Sequence, residues 1–175
     1  MVANLSHPKR GFESKQPALE RIAVRGQELK DRLLAAVDAD TAAFDEFLAA
    51  MRMAKETAQE RALRDAAMIV ATIATIEVPL RTLEACPEIV ELCLEIGEIG
   101  LQASLSDAGT GAAMARAAAS GAFQNVCINL PGLADRGVAA ALLKRADGAW
   151  ARTRELAARA ESKFVDGLRA GAGRS

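Results

Sequence analysis

Between Pro17 and Met53, apolar side chains return every three or four residues. Ile22, Leu29, Leu33, Val37, Phe44, Phe47 and Met51 fall on one stripe, the period of an amphipathic helix. Thr57-Ala-Gln-Glu60 has the spacing of a capping box, in which side chain and backbone satisfy each other's open groups. It predicts a second helix through the apolar block Ala66 to Ile76, which Pro79 should kink or end. Pro87 fits the first turn of a shorter helix over about 88–99, closed by Gly97 and Gly100. Ser106-Asp107 reads as the N-cap of a helix over 107–129, and Pro131-Gly132 breaks the chain after it. Asp135 caps a last helix, about 136–169, interrupted at Gly148. The first dozen residues, with Pro8 and Gly11, read as a helix end and a loop; residues 170–175 read as a loose tail. No segment alternates with period two, so the pattern predicts an all-α bundle of about five helices.

Composition agrees with that class. The chain has 175 residues, 51% of them apolar but only 3% aromatic. Alanine supplies much of the apolar count, which suits helices packed close together rather than a β-sandwich. One domain over residues 1–175 is the simplest division. With 22 basic and 23 acidic residues the net charge is −1; that balance argues against nucleic acid or an anionic membrane as the main partner. The apolar run at 66–76 is about half of what a membrane span needs. The N-terminus lacks the apolar core of a signal peptide, so the expectation is a cytoplasmic protein. Cys86, Cys93 and Cys127 fit no zinc spacing and read as buried small residues. With one histidine, His7, no multi-histidine metal site is expected. Carboxylates, amides and lysines would have to carry any chemistry.

A few residues break the pattern. Asp40 interrupts the apolar stripe of the long helix, three residues after Val37 and four before Phe44. A carboxylate facing inward there is costly unless paired or functional. An ion pair with an arginine and a pocket-facing acid both fit. Asp38 lies roughly 200° round the helix from it, with solvent and Asp45. Asn125 and Asn129, four apart, share a face; cross-helix hydrogen bonds or a ligand would satisfy them. Asp107 serves as a cap or as a site residue. Lys9-Arg10 is a basic pair, solvated or anion-binding. Gly109 and Gly111 look like a fragment of a phosphate loop but lack the Lys-Ser/Thr and the preceding strand that such a loop needs.

In order along the chain, MVANLSHPKRGFE (1–13), VDADTAAFDEFLAAMRMAKET (37–57), VPL (78–80), SDAG (106–109) and NVCINL (125–130) resemble the cyclodeaminase/cyclohydrolase family of folate enzymes. This family includes the cyclodeaminase domain of formimidoyltransferase-cyclodeaminase and stand-alone methenyltetrahydrofolate cyclohydrolases. The resemblance implies an all-α fold packed as a homodimer. It places the family's catalytic aspartate on Asp40. Substrate-binding positions fall on Asp107, Asn125 and Asn129, and on Lys9 and Arg10, which suit a folate's glutamate carboxylates. It implies a tetrahydrofolate derivative as substrate, with no metal and no separate cofactor. The implied reaction converts 5-formimidoyltetrahydrofolate to 5,10-methenyltetrahydrofolate and ammonia. Hydrolysis of the methenyl ring is the alternative, since both reactions use the same motifs.

The departures from the family bear on activity. Members carry a Pro-Gly-Gly-Gly-Ser segment and most of an alanine-rich helix ahead of MVANL, whereas Met1 here matches an interior methionine of that helix. Met53-Ala54-Lys55 stands for Leu-Pro-Lys, Gly100-Leu101 for Gly-Asn, and Pro8 for a glycine. These differences leave two further readings: a start placed late, or a shortened, non-catalytic helical oligomer of the same family.

Overall fold

A computed structural model describes residues 1–172, and every regular element among them is helical. The α-helices are α1 (Val2–Ser6), α2 (Gln16–Arg52), α3 (Ala58–Ile99), α4 (Leu105–Asn129) and α5 (Arg136–Ala172). Single 3₁₀ turns at Glu13–Lys15, Gln102–Ser104 and Leu130–Gly132 join them. Residues 173–175 of the expected loose tail lie outside the described residues, and α5 runs through Ala172.

The capping box forms as its sequence requires. Glu60 N donates to Thr57 Oγ1 at 3.1 Å, and Thr57 N donates to Glu60 Oε2 at 2.8 Å. From that start α3 continues to Ile99 with Pro79 and Pro87 inside it, so the expected break at Pro79 and separate helix at 88–99 are one helix. Each proline removes one intrahelical hydrogen bond, but α3 is the centre of the bundle and its neighbours hold it. α3 is also long and apolar enough to cross a membrane by length and composition, a property that a central helix shares.

Charge ladders fix the neighbours' register on α3. On one flank Glu77, Glu84, Glu91 and Glu98 recur every seven residues. Arg145 bridges the first two, with Nη1 donating to Glu77 Oε1 at 2.5 Å and Nε to Glu84 Oε1 at 2.9 Å. Arg152 pairs with Glu91 and Lys163 with Glu98, so α5 runs parallel to α3. On the other flank Arg25 meets Glu88 and Arg21 meets Glu95; the order is reversed, and α2 is antiparallel. These pairs lie at or near the surface, where water screens them and each adds little stability. Their regular spacing sets alignment, as charges flanking a coiled-coil seam do.

Packing uses small residues. In α4, Ala108, Ala112, Ala115, Ala119 and Ala122 are buried at alternating spacings of four and three, an alanine seam that lets helices approach closely. Gly97 of α3 lies against the ring of Phe164, and a Cβ at Gly111 would stand 2.9 Å from Cys93 Sγ. One core cluster gathers Leu19, Ile22, Val90, Leu105 and Phe164; the other gathers Ile76, Leu80, Leu83, Val126 and Leu142.

Three further expectations are corrected. The buried line of α2 is Leu19, Ile22, Leu29, Ala43 and Ala50, while Val37, Phe44 and Met51 are exposed. Large residues suggested the core line, but α2 seats its second half on alanine. The residue before α4 is Ser104, whose side chain makes no cap bond, and Asp107 sits inside the first turn. Its charge there suits the positive end of the helix. Gly148 does not interrupt α5. Asp135 does cap that helix, accepting from Gly137 N at 2.8 Å and Val138 N at 3.1 Å.

Candidate active site

The second half of α2 and the first half of α3 enclose a cleft with the end of α4. Its volume is about 370 Å³. Asp40, Phe44 and Phe47 line it from α2, Thr72 and Thr75 from α3, Asn125, Ile128 and Asn129 from α4, and Gly132 from the turn that follows. Three residues singled out by sequence therefore meet in one place, carried there by two different helices. The antiparallel run of α2 and α4 against α3 is what aligns them.

Asp40 is an exposed residue at the rim of this cleft. It is not buried among core side chains, as the stripe suggested, because the stripe's Val37 and Phe44 themselves face out. Nor does an arginine pair with it: none of the ion pairs among the described residues involves Asp40. It is an uncommitted acid beside a half-exposed phenylalanine, one helical turn away on the same face.

The asparagines are committed to each other and to α3. Asn129 Nδ2 donates to Asn125 Oδ1 at 2.9 Å and to the Thr75 carbonyl at 3.2 Å. The cross-helix bond expected for such a pair is present, and both residues line the cleft. Spacing alone places Phe44 on the core stripe, and Thr75 carries no sequence signal of its own. Their clues were relational: Phe44 stands four residues after Asp40, and Thr75 four before Pro79.

The remaining sequence-derived candidates lie elsewhere. Asp107 lines a separate, mostly apolar groove of about 720 Å³ with Asn4, Lys30, Leu34, Val37, Cys93 and Ile96. Asn125 is eighteen residues further along α4, roughly 27 Å at about 1.5 Å per residue. Lys9 and Arg10 are exposed in the turn after α1. That turn is held at the far end of α3, where Leu101 N donates to Ser6 Oγ at 2.9 Å and Lys15 Nζ to the Ile99 carbonyl at 3.2 Å. Thr75 to Ile99 spans roughly 36 Å of helix. Within one protomer these three residues do not reach the Asp40 cleft.

Among the described residues, no three His, Cys, Asp or Glu side chains converge as metal ligands. Burial pushes the Cys86 and Cys93 thiols up to about 11, leaving them protonated and unreactive at neutral pH.

Fold and site together define an all-helical protein with an acid-and-amide cleft. The formiminotransferase-cyclodeaminase family profile matches residues 1–148, and the chain belongs to that family. It is 33% identical over 135 residues to formimidoyltransferase-cyclodeaminase of Gallus gallus, covering 77% of this chain and 25% of that one. It is 31% identical over 148 residues to methenyltetrahydrofolate cyclohydrolase of Methylorubrum extorquens, covering 85% of this chain and 71% of the relative. The chain thus spans about a quarter of the length of the bifunctional relatives and most of the cyclohydrolase. The fold matches the crystal structure of formiminotetrahydrofolate cyclodeaminase from Thermotoga maritima with a TM-score of 0.82, over 96% of this chain and 79% of that one, at 23% identity.

Proposed function

We propose that the chain is a folate one-carbon enzyme whose chemistry takes place in the Asp40 cleft. The carrying observation is that one uncommitted carboxylate and two amides, from α2 and α4, line a single cleft in a chain of this family. The preferred reaction is cyclodeamination. N10 of 5-formimidoyltetrahydrofolate attacks the formimidoyl carbon on N5, a proton moves to the departing nitrogen, and ammonia leaves. The product is the 5,10-methenyl cation. Attacking and leaving nitrogens share one carbon, so holding N5 and N10 in place supplies much of the acceleration. The Asp40 carboxylate stabilises the cationic carbon centre and relays the proton to the leaving amine. Asn125 and Asn129 orient the pteridine ring, and Phe44 offers it an aromatic face.

A second reading, methenyltetrahydrofolate cyclohydrolase, has its own support. The cyclohydrolase relative is matched along 71% of its length. There water attacks the methenyl carbon, Asp40 takes the proton, and the ring opens to 10-formyltetrahydrofolate.

Asp107, Lys9 and Arg10 would serve the same substrate only from a second copy. An apolar line on α2 offers the contact: Leu34, Val37 and Met51 are exposed, while Phe44 on the same helix is left to the cleft. Each such side chain represents roughly 60–120 Å² of apolar surface. The walls of the adjoining groove extend this apolar surface, and a homodimer that covers it is the proposed assembly.

The deciding experiment mixes pure protein with 5-formimidoyltetrahydrofolate and, separately, with 5,10-methenyltetrahydrofolate, following methenyl absorbance. Growth in the first identifies a cyclodeaminase. Accelerated decay in the second identifies a cyclohydrolase. No change in either, from folded protein, overturns the enzymatic reading and supports the non-catalytic one.

A further inference from the structure

The amide pair in the cleft has a fixed polarity. Asn129 approaches the Thr75 carbonyl at 3.2 Å, and a carbonyl only accepts. The end of Asn129 turned toward α3 must therefore be its NH₂ group. That same NH₂ donates to Asn125 Oδ1 at 2.9 Å, so both of its hydrogens are engaged. What remains is the Oδ1 of Asn129, an acceptor, and the NH₂ of Asn125, a donor. Both residues line the cleft, which thus displays one donor beside one acceptor in a set order.

The origin of that order is Pro79. A helical carbonyl normally accepts from the N–H four residues later. For Thr75 that residue is Pro79, which has no N–H and lies inside α3. The proline leaves the Thr75 carbonyl open, and Asn129 occupies it. A residue expected to kink or end the helix instead exposes the acceptor that orients the amides.

We infer that Asn125 and Asn129 read the lactam edge of the ligand's ring, with Asn125 donating to a ring C=O and Asn129 accepting from the adjacent ring N–H, in an order set by the Thr75 carbonyl that Pro79 leaves open. This rests on the folate reading above. A pterin carries such an edge, its C4 carbonyl beside N3–H. Its amidine edge, N1 beside the 2-amino group, also offers an acceptor next to a donor. The two edges differ in what they place near Asp40. The C4 carbonyl adjoins N5, so holding it keeps the reacting nitrogen on the cleft side, whereas holding the amidine edge turns N5 away from it.

The probes are 5-formyltetrahydrofolate and its 4-amino-4-deoxy counterpart, in which the lactam C=O becomes an amino group and N3 loses its hydrogen. Both are titrated calorimetrically against the whole protein. The parent is expected to bind the 4-oxo ligand at least about tenfold more tightly, because a site built to bond a polar edge rejects the analogue that cannot answer it. N125D replaces the donor with acceptors and is expected to erase or invert that preference. N125A, at an exposed position, is expected to weaken only the 4-oxo ligand. P79A, which restores an N–H to compete for the Thr75 carbonyl, is expected to keep the helical circular dichroism and to lose part of the discrimination. Equal binding of both ligands by the parent, or an unchanged preference in N125D, overturns the lactam assignment and leaves the folate function standing. Failure of folded parent to bind either ligand overturns both.

Discussion

Replacing Asp40 with asparagine removes one charge and almost no volume. The structure sets the size of the effect. Asp40 is exposed at the cleft rim, so its field is partly screened. For an approach of about 4 Å to the cationic carbon, the interaction is about 1 kcal/mol in bulk water and about 4 kcal/mol at an effective dielectric of 20. With a bound pteridine excluding part of the water, the loss should lie between these limits. That corresponds to a fall in kcat of roughly fivefold to a thousandfold. Because the charge acts chiefly on the transition state, KM should change far less than kcat. Among the described residues Asp40 has no ion-pair partner, so folding stability should move by no more than about 0.5 kcal/mol. The assay follows methenyl formation or decay under saturating substrate, with thermal melts of both proteins alongside. An Asp40→Asn protein that melts with the parent and turns over at the parent rate would refute the assignment.

Gly97→Ala places a methyl group into the ring of buried Phe164; overpacking of this kind should cost about 1–3 kcal/mol, read as a lower urea midpoint with an unchanged slope. Hydrogen bonds from Arg25 and Lys163 hold the Glu88 and Glu98 carboxyls below their usual 4.5. The stability they contribute is therefore complete above about pH 4.5 and disappears as pH falls through the lower folded values; Arg25→Met should flatten the acid side of a plot of urea midpoint against pH. In sedimentation equilibrium the protein should behave as a dimer and Leu34→Glu combined with Val37→Glu as a helical monomer; a monomeric parent would refute the proposed α2 contact.

Helix positions were largely legible because their signals are local. The capping box at Thr57, the Asp135 cap and the turn at Pro131-Gly132 depend on neighbours a few residues away, and each stands where the sequence puts it. Continuity across Pro79, Pro87 and Gly148 was not legible. Those residues weaken an isolated helix, but α3 lies between α2, α4 and α5, and Ile76, Leu80, Leu83 and Val90 around its prolines are fully buried against them. Tertiary contacts outweigh a local penalty of about 3 kcal/mol. The inner line of α2 was hidden for a different reason. Hydrophobic size marks core positions only where helices stand far enough apart to hold large side chains, and here Ala43 and Ala50 are the contact.

The site divides along the same boundary. Asp40 was visible as an acid out of place, and Asn125 with Asn129 as amides sharing a face; that they meet is a consequence of α2 and α4 both running antiparallel to α3, which no motif encodes. The apolar stripe implies a carboxylate facing inward, costly unless paired or functional; Asp40 bears no such cost, because the helix face around it opens to a cleft. Pro79, expected to kink or end the helix, is tied to this cleft through Thr75, whose carbonyl meets Asn129. A broken backbone hydrogen bond where a helix is packed against its neighbours leaves an acceptor that needs another partner. In this bundle the group that satisfies it is a side chain facing the cleft, so the irregularity in α3 and the polarity of the site are one feature.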